Sequence, residues 1–514
     1  MSQPYTDHIK TVLPRLLALF DVDKSSSTYG IGDRYYWAWG LIDFGNGTFQ
    51  GAVHGLSRLL VHELLPYGFS EKIILKRIDS MFHGAECLIR KNGSMEEAFP
   101  YEGSFCVTAL VSYDLLSAIE LLDNRLDHVK KEKYLSIVRP MIDYLRYSDE
   151  THAIISNHLA TAAAALFKWD MLSHDNNDRR GKDILKRIIE NQSEEGWFRE
   201  YDGADPGYQS LCTYYLADLH RIRPDLNLLE PLKKSIQFLW YFAHPDGSFG
   251  GIYGSRNTRF YYPSGIEYLA NEIPEASALA NFMRKSIENE CVVGLSSMDE
   301  PNLIPMFNSY CWAAVCASNY PGAPEVPSQT NTSFRKYWEK AGIFVDSGID
   351  YYTIISTSKG GVVYHFSSQN KKYINTGVIA KDKSNRLYST QAFQSANEII
   401  IEDESIEIRA GFQPVTKQLM APTQLLILRL LNITLMRITK VREKIKQILV
   451  KMLITNKRKP NKFNTRKITL GKELRIIDEI NNSNNMVIID DCKYFVAIHM
   501  ASQGYWQIQD EMEV

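Results

Sequence analysis

A four-residue turn pattern recurs along the first half of the chain and decides its fold. It reads Asn46-Gly47-Thr48-Phe49, Asn92-Gly93-Ser94-Met95, Glu195-Gly196-Trp197-Phe198 and Asp246-Gly247-Ser248-Phe249. Its glycines are 46, 103 and 51 residues apart, so the middle interval holds two units, with a divergent one expected near residue 145. A repeat of about fifty residues is typical of stacked helical hairpins.

Two kinds of helix are predicted between these turns. The first kind is rich in small residues and apolar on nearly all sides, which indicates burial on both faces. These helices cover 103–110, 156–165, 207–214 and 264–270. The second kind is more amphipathic, with charged faces, as at 71–89 and 230–242. Alternating inner and outer helices predict an N-terminal, incomplete α/α toroid.

A Pro-rich stretch at 321–327 indicates a linker, so we place a catalytic toroid domain at 1–325 and a second domain at 326–514. Downstream, β-rich runs are broken by Gly, Asp, Asn and Ser. They lie at 342–345, 351–355, 361–366, 398–401, 406–408, 472–480 and 486–498. This pattern predicts an antiparallel β-sandwich-like domain.

The composition excludes several classes of protein. The 514 residues are 45% hydrophobic and 23% charged, as in a globular chain of two or three domains. A net charge of -2 argues against a nucleic-acid partner. The seven Cys show no paired spacing, and no secretory signal, phosphate-binding loop or dinucleotide fingerprint is present. We therefore expect a cytoplasmic location, no cofactor and no metal.

One segment of the second domain is strongly basic. Residues 424–467 contain thirteen Lys and Arg against a single acidic residue, Glu443, while the rest of the chain carries a net charge of -14. The part from 425 to 454 has a helical pattern. Three interpretations remain open: a helical insertion packed on the toroid with a solvated basic face, peripheral contact with an anionic membrane, or the wall of a groove for an anionic glycan.

Two residues that could carry chemistry open one inner helix. The starts of the inner helices of a toroid line its central cleft, so Asn157 and His158 would place an amide donor and a titratable imidazole there. A structural interpretation also fits, with Asn157 as the N-cap and His158 as a satisfied first-turn histidine. On spacing alone the structural interpretation is favoured.

Two further stretches reach the same end of the predicted ring. The turn at 203–209 brings Tyr208 to the next helix start, where a buried Tyr with a bonded hydroxyl would also fit. The loop at 253–262 brings two guanidinium groups, which suit carboxylate recognition or simple pairing with Asp or Glu. We assign substrate binding and catalysis in these stretches to Gln209, Arg256, Asn257, Arg259 and Tyr262.

The pairing of Asn157-His158 with Gly203-x-x-Pro206-Gly207-Tyr208, in a toroid followed by a β-sandwich, resembles the heparinase II/III-like polysaccharide lyases and the related uronyl C5-epimerases. The resemblance covers the architecture of nearly the whole chain, through short motifs. It implies proton abstraction from C5 of a uronic acid. Asn157 would neutralise the carboxylate, and His158 and Tyr208 would act as base and acid.

The β domain departs from that resemblance. Family lyases commonly carry a further His in a His-x-Asp-like strand motif, frequently near a metal. The nearest counterpart here is Tyr364-His365-Phe366, which lacks the Asp. The second catalytic group is therefore assigned to His365, Tyr262 or Arg259, in no order.

The residue types suit this chemistry independently of the resemblance. The developing enediolate charge at C5 must meet preorganised donors, which Asn157 and an Arg can supply. A Tyr with an ordinary pKa of about 10 is a poor base unless a neighbouring cation stabilises its phenolate, as Arg256 or Arg259 could. Departure of the 4-O group then gives β-elimination, and reprotonation on the opposite face gives epimerisation.

Two weaker groups complete the set. Tyr35 and Trp37 could stack on a sugar ring, although such clusters more often belong to a core. Glu97 and Glu102 resemble the acid pair of an α/α-toroid glycoside hydrolase, and Glu102 would otherwise bind substrate.

We expect a lyase acting on an anionic, uronic-acid-containing glycan. A C5-epimerase in cytoplasmic or membrane-associated glycan biosynthesis is the close alternative, followed by a hydrolase and a non-catalytic glycan-binding protein. A lipid-linked substrate would suit the basic segment.

Overall fold

The computed structural model describes residues 3–150, 153–175, 177–330, 332–367, 372–415, 421–450, 459–481, 486–489 and 495–497. Helices fill the first part of the chain. In order they are α1 (Gln3–Leu17), α2 (Arg34–Trp37), α3 (Ala52–Val61), α4 (Glu71–Leu88), α5 (Phe105–Leu122), α6 (His128–Tyr147), α7 (Ser156–Ser173), α8 (Arg179–Glu190), α9 (Pro206–Ile222), α10 (Leu229–Leu239), α11 (Ser264–Leu269), α12 (Pro274–Glu288) and α13 (Glu300–Cys316).

Six of these helices form the inner ring of an α/α toroid, as predicted. Contacts run from α3 to α5, α7, α9, α11 and α13, and α13 contacts α3 again. The ring therefore closes, and the expectation of an incomplete toroid is wrong on that detail. The divergent unit expected near residue 145 falls on the last turns of α6, just before the loop that leads to α7.

Burial explains why these sequences become inner or outer helices. The alanines at 160 and 162–165 of α7 are fully buried, because this helix is enclosed by its neighbours. In the outer helix α8, by contrast, burial is confined to one side, at Gly181, Ile184, Leu185 and Ile188.

The repeated turn glycines hold the outer helices against the ring. Gly93, Gly196 and Gly247 all have positive φ, a conformation that other residues adopt only with strain. A Cβ on Gly93 would lie 1.9 Å from the carbonyl oxygen of Pro140 in α6, and one on Gly196 would lie 2.3 Å from that of Lys234 in α10. These two turns therefore require glycine for close packing as well as for their shape.

One stretch of the ring is also apolar enough to cross a membrane. Among the described residues it is Phe105–Arg125, and 78% of its apolar window is buried inside the protein. It contains α5, which lies between α3 and α7 in the ring.

Three antiparallel sheets follow the toroid. Their strands are β1 (Phe334–Trp338), β2 (Ile343–Gly348), β3 (Tyr351–Ser356), β4 (Val362–Ser367), β5 (Lys372–Asn375), β6 (Ile379–Asp382), β7 (Leu387–Ser389), β8 (Glu398–Ile401), β9 (Ser405–Gly411), β10 (Gln413–Pro414), β11 (Phe463–Thr469), β12 (Arg475–Asn481) and β13 (Met486–Ile488). The strand orders are β1-β2-β3-β4-β5, β10-β7-β6-β13 and β12-β11-β9-β8. The predicted linker falls between the end of α13 and the start of β1.

The first sheet lies between the toroid and another sheet. On one face, the Tyr352 hydroxyl donates a hydrogen bond of 2.7 Å to the carbonyl oxygen of Tyr241 in the toroid. On the other face, Ile355 and Val363 pack in one apolar cluster with Ile406 of β9 and Ile468 of β11. The strands therefore form a sandwich with one side docked on the helical ring.

The basic insertion lies between β10 and β11 and differs in detail from its prediction. The expected helix at 425–454 is two helices, α14 (Pro422–Ile433) and α15 (Thr439–Val450), with a break at Thr434. Residues 451–458 lie outside the described residues. The end of the basic segment belongs to β11, where Arg466 is buried and bonded to Asp478.

Candidate active site

The start of α7 is attached to a short hairpin that precedes α9. Ile155 and Glu200 form an isolated β-bridge, and the backbone N–H of Ser156 donates to the carbonyl oxygen of Arg199 at 3.1 Å. The Asn157 amide donates to Oε1 of Glu200 at 2.9 Å. Asn157 therefore holds a buried carboxyl group, and its interpretation as the N-cap is wrong, because Ile155 is the N-cap of α7.

His158 follows on α7 and is more accessible, with its side chain about one-fifth exposed. Its Nδ1 lies 2.8 Å from Oε2 of Glu150. Burial alone lowers the pKa of His158, but its interactions with the Cys106 thiol and the Glu150 carboxylate reverse this, and the pKa is raised well above its ordinary value. Burial raises the pKa of Cys106. His158 is therefore suited to carry a positive charge at neutral pH.

The carboxyl group of Glu200 lies at the centre of this site. Burial raises the pKa of Glu200 to about 7, against the charges of His158 and Arg256 and the hydrogen bond from Asn157, which all lower it. The guanidinium of Arg256 stacks on the ring of Tyr201, 3.8 Å from its centroid. The charges of two cationic side chains thus act on one buried carboxyl group that titrates near neutral pH, an arrangement common at functional sites.

Asp205 joins this cluster to Tyr208. It is the N-cap of α9, where Oδ1 accepts from the backbone N–H of Tyr208 at 3.1 Å. Its Oδ2 accepts from the backbone N–H of Arg256 at 2.9 Å, and the Thr258 hydroxyl also donates to this carboxylate. Tyr208 itself is half-buried, and its ring packs edge-on against Phe260 at 5.3 Å. The predicted Asn157, His158, Tyr208 and Arg256 therefore occupy connected loops at one end of the ring.

The first sheet contributes a buried lysine to the same loops. Nζ of Lys359 donates to the carbonyl oxygen of Gly254 at 3.0 Å, to that of Ile252 and to Oδ1 of Asn257. Burial lowers the pKa of Lys359 to about 7. Asn257, predicted to bind substrate, has a φ of 62° and uses its side-chain oxygen to hold this lysine.

His365 does not join the site, which corrects its assignment as a catalytic group. Side chains alternate between the faces of a strand, so His365 points away from its neighbours Tyr364 and Phe366. The Tyr364 hydroxyl accepts from the backbone N–H of Ile252 at 3.1 Å and so faces the toroid. His365 instead bonds Thr353 on the opposite face, at 2.8 Å.

Two other predicted site residues are buried in the core, where their side chains contact neighbouring residues. Gln209 is buried, accepts from the backbone N–H of Phe198 and donates to the Ser235 hydroxyl at 2.9 Å, so its assignment to substrate binding is wrong. Tyr262 is buried and packs edge-on against Phe260 at 5.3 Å. Burial raises the pKa of Tyr262, which makes it a poor base.

Three predicted residues remain, namely Tyr35, Trp37 and Arg259. Tyr35 is exposed on α2, and Trp37 donates its indole N–H to the carbonyl oxygen of Leu19 at 2.8 Å. Arg259 is half-buried, and its charge adds to the effect of burial in lowering the pKa of His244.

The acid pair of the hydrolase alternative lies in the loop before α5. Glu102 is buried and accepts from the backbone N–H groups of Glu97 and Ala98, both at 2.5 Å. The exposed Glu97 accepts from the Ser104 hydroxyl at 2.8 Å. Glu102 therefore holds the loop together, which removes support from its roles in hydrolysis and substrate binding.

Sequence reasoning missed Glu150, Glu200, Tyr201 and Lys359. Glu200 and Tyr201 follow directly on the repeated turn at 195–198, a position that always leads towards an inner helix, so the repeat could have indicated them. No local pattern marks Glu150 or Lys359. Within the described ranges, no group of three His, Cys, Asp or Glu side chains is arranged to hold a metal ion.

No family model and no curated protein matches the chain. Among solved structures, it is similar to a xanthan lyase of Paenibacillus, with 12% identity over 80% of this chain and 45% of that chain and a TM-score of 0.47. It is similar to heparinase III, with 12% identity over 89% of this chain and 77% of that chain, at a TM-score of 0.44. It is also similar to a chondroitin AC lyase of Streptomyces coelicolor A3, with 8% identity over 80% of this chain and 67% of that chain and a TM-score of 0.49.

The chain spans less than half the length of the xanthan lyase. The closed helical ring and the sheet order of this chain establish its fold.

Proposed function

We propose that this protein is an enzyme that acts on a uronic-acid-containing glycan by removing the C5 proton, with β-elimination as the outcome. The observation that carries the proposal is the buried carboxyl group of Glu200, which accepts a hydrogen bond from Asn157 at the start of α7 and whose pKa is raised by burial and lowered by the charges of His158 and Arg256. Tyr208 is tied to the same loops through Asp205.

The first task of such a site is to neutralise the substrate carboxylate, because the C5 proton is otherwise too weakly acidic. His158 and Arg256 supply positive charge. Glu200 opposes that charge only when it is ionised, and its pKa of about 7 lets it take up a proton when a second carboxylate arrives. Protonation of Glu200 would leave both cations free to stabilise the enediolate.

Proton transfer then falls to Tyr208 and His158. The raised pKa of His158 suits an acid or a fixed positive charge better than a base. Tyr208 is therefore our candidate for the group that removes the C5 proton. Protonation of the 4-O leaving group by His158, as its C4–O bond breaks, would complete elimination.

A C5-epimerase is the second candidate, and Glu200 is the observation that favours it. Epimerisation needs an acid and a base on opposite sides of C5, and Glu200 adds a group that titrates near neutral pH.

We also propose a cytoplasmic location. The six cysteines within the described residues are free, which suits a reducing compartment.

The test is a panel of soluble uronic-acid glycans assayed in three ways. A lyase creates a C4–C5 double bond conjugated with the carboxylate, so near-ultraviolet absorbance rises as chains shorten. An epimerase incorporates solvent deuterium at C5 without shortening the chain. New reducing ends without either signal would identify a hydrolase, and binding without any reaction would identify a glycan-binding protein. Either result would overturn the proposal.

A further inference from the structure

An apolar stripe lies exposed along the first helix of the basic insertion. Leu426, Leu430 and Ile433 follow one another at helical spacing on α14, and each is at least half exposed. Ile427 lies beside them and is 57% exposed. Isolated exposed aliphatic residues are ordinary, but a continuous stripe on one helix indicates a binding surface.

The opposite side of the insertion is anchored, so the stripe has a fixed position. Asn432 and Met436 are buried. Arg429 forms an ion pair of 3.2 Å with Asp43, and Arg437 donates to the Tyr101 hydroxyl at 3.3 Å. The insertion is thus packed on the toroid, as one of its three interpretations expected, and still leaves an apolar face uncovered by the described residues.

The basic residues of the insertion indicate which kind of partner would bind the stripe. Lys440 and Lys444 of α15 are exposed, and Glu443 is the single acidic residue in the segment 424–467. A second copy of the chain docked on the same face would bring the same positive charge against it. An anionic lipid surface complements both the apolar stripe and the basic residues.

We propose that α14 and α15 dock this protein on an anionic bilayer, with the stripe of Leu426, Ile427, Leu430 and Ile433 in the lipid interface. The insertion contacts Tyr101 in the loop before α5, and Cys106 in the first turn of α5 interacts with His158. The insertion is therefore linked to the candidate active site through the start of α5. Resting on the proposed function, this arrangement indicates a uronic-acid glycan carried on a lipid.

The test is sedimentation of the full chain with phosphatidylcholine vesicles containing about 30% phosphatidylserine, at low and high salt. We expect binding that falls at high salt and is absent with phosphatidylcholine alone. The triple variant Leu426→Ser, Ile427→Ser, Leu430→Ser should bind at least about tenfold more weakly. Lys440→Gln with Lys444→Gln should weaken binding and reduce its salt dependence.

A matched control changes exposed isoleucines elsewhere, Ile400→Ser in β8 and Ile477→Ser in β12, and should bind as the unaltered protein does. Equal vesicle binding by all variants, or none by the unaltered protein, would overturn the proposal. A dimer that the stripe variant abolishes in size-exclusion chromatography without lipid would assign the face to a second copy instead.

The outcome is separable from that of the proposed function. If the stripe variant loses vesicle binding but keeps its turnover of soluble glycan, both proposals stand. If the unaltered protein binds vesicles but transforms no uronic-acid glycan, the docking surface stands and the proposed function fails.

Discussion

The two ends of the inner helical ring hold charged clusters that differ in how their carboxyl groups are paired. At the C-terminal end, Lys168 lies 2.9 Å from Asp218 and also bonds Glu120, and Arg221 bonds both of these carboxylates. At the N-terminal end, about 16 Å away along α7, Glu200 receives one amide hydrogen bond from Asn157 and has no ion pair as short as these within the described residues.

The protonation states of Asp218 and Glu200 follow from this difference. Burial raises the pKa of Asp218, but Lys168 and Arg221 outweigh it and hold that pKa far below its usual range. At Glu200 the effect of burial is larger than that of the nearby cations, so its pKa is raised to about 7. The same ring therefore contains one cluster whose charges are balanced and one whose carboxyl group can exchange a proton near neutral pH. Paired charges suit a stable core, and a carboxyl group that exchanges a proton near neutral pH suits catalysis.

The balanced cluster should be the costlier one to break. Lys168→Met removes a buried cation and leaves Glu120 and Asp218 sharing only Arg221, so we expect the free energy of unfolding to fall by about 3–5 kcal/mol. Urea denaturation measures this. The control Lys182→Met removes an exposed ion pair with Asp178 and should cost less than about 0.5 kcal/mol. Equal losses in the two variants would contradict the comparison.

Glu200→Gln tests the proton exchange at the other end. The folded pKa of about 7 lies above the ordinary value of 4.5. The stability that protonation contributes is therefore complete below about pH 4.5 and is lost as the pH rises through 7. Relative to Glu200→Gln, the unaltered protein should lose about 3 kcal/mol of unfolding free energy over this range. Parallel pH profiles from urea denaturation would show that Glu200 does not titrate there.

Tyr208→Phe should have the smallest effect on the fold while it separates chemistry from structure. The change removes one hydroxyl from a half-buried ring, so thermal unfolding should barely move. Turnover of the glycan should fall at least about a hundredfold if the phenol transfers the proton. Tyr147→Phe, at a side chain that is 92% exposed, is the control and should keep full activity. Full activity of Tyr208→Phe would reassign the acid or base.

Much of the fold could be predicted because its signals are local. The positive-φ glycines Gly93, Gly196 and Gly247 mark the turns, and the alanine run of α7 marks an enclosed helix. The predicted β-rich runs fall on β2, β3, β4, β8, β9, β12 and β13, whereas β1, β5, β6, β7, β10 and β11 lie outside them and were missed. The break at Thr434 between α14 and α15 was missed, because apolar and basic residues recur at helical spacing through it.

The position of some candidate site residues was predicted, and their roles stay predictions. Asn157, His158 and Arg256 could be found because each lies at a recognisable helix start or loop. His365 was placed wrongly because a one-residue shift along a strand reverses the face to which a side chain points, and only docking on the toroid selects the face. Gln209 was placed wrongly because its hydrogen bonds reach another helix.

The sequence by itself determined the ring of helices, the sandwich and the loops that carry the candidate catalytic residues, since turns and burial patterns depend on neighbours along the chain. Tertiary structure alone decided that Lys359 holds Asn257, 102 residues away, and that Glu200 meets Asn157, 43 residues away. It also decided that burial outweighs the nearby cations at Glu200. A pKa depends on the solvent and charges that the assembled fold brings together, and no local pattern contains that information.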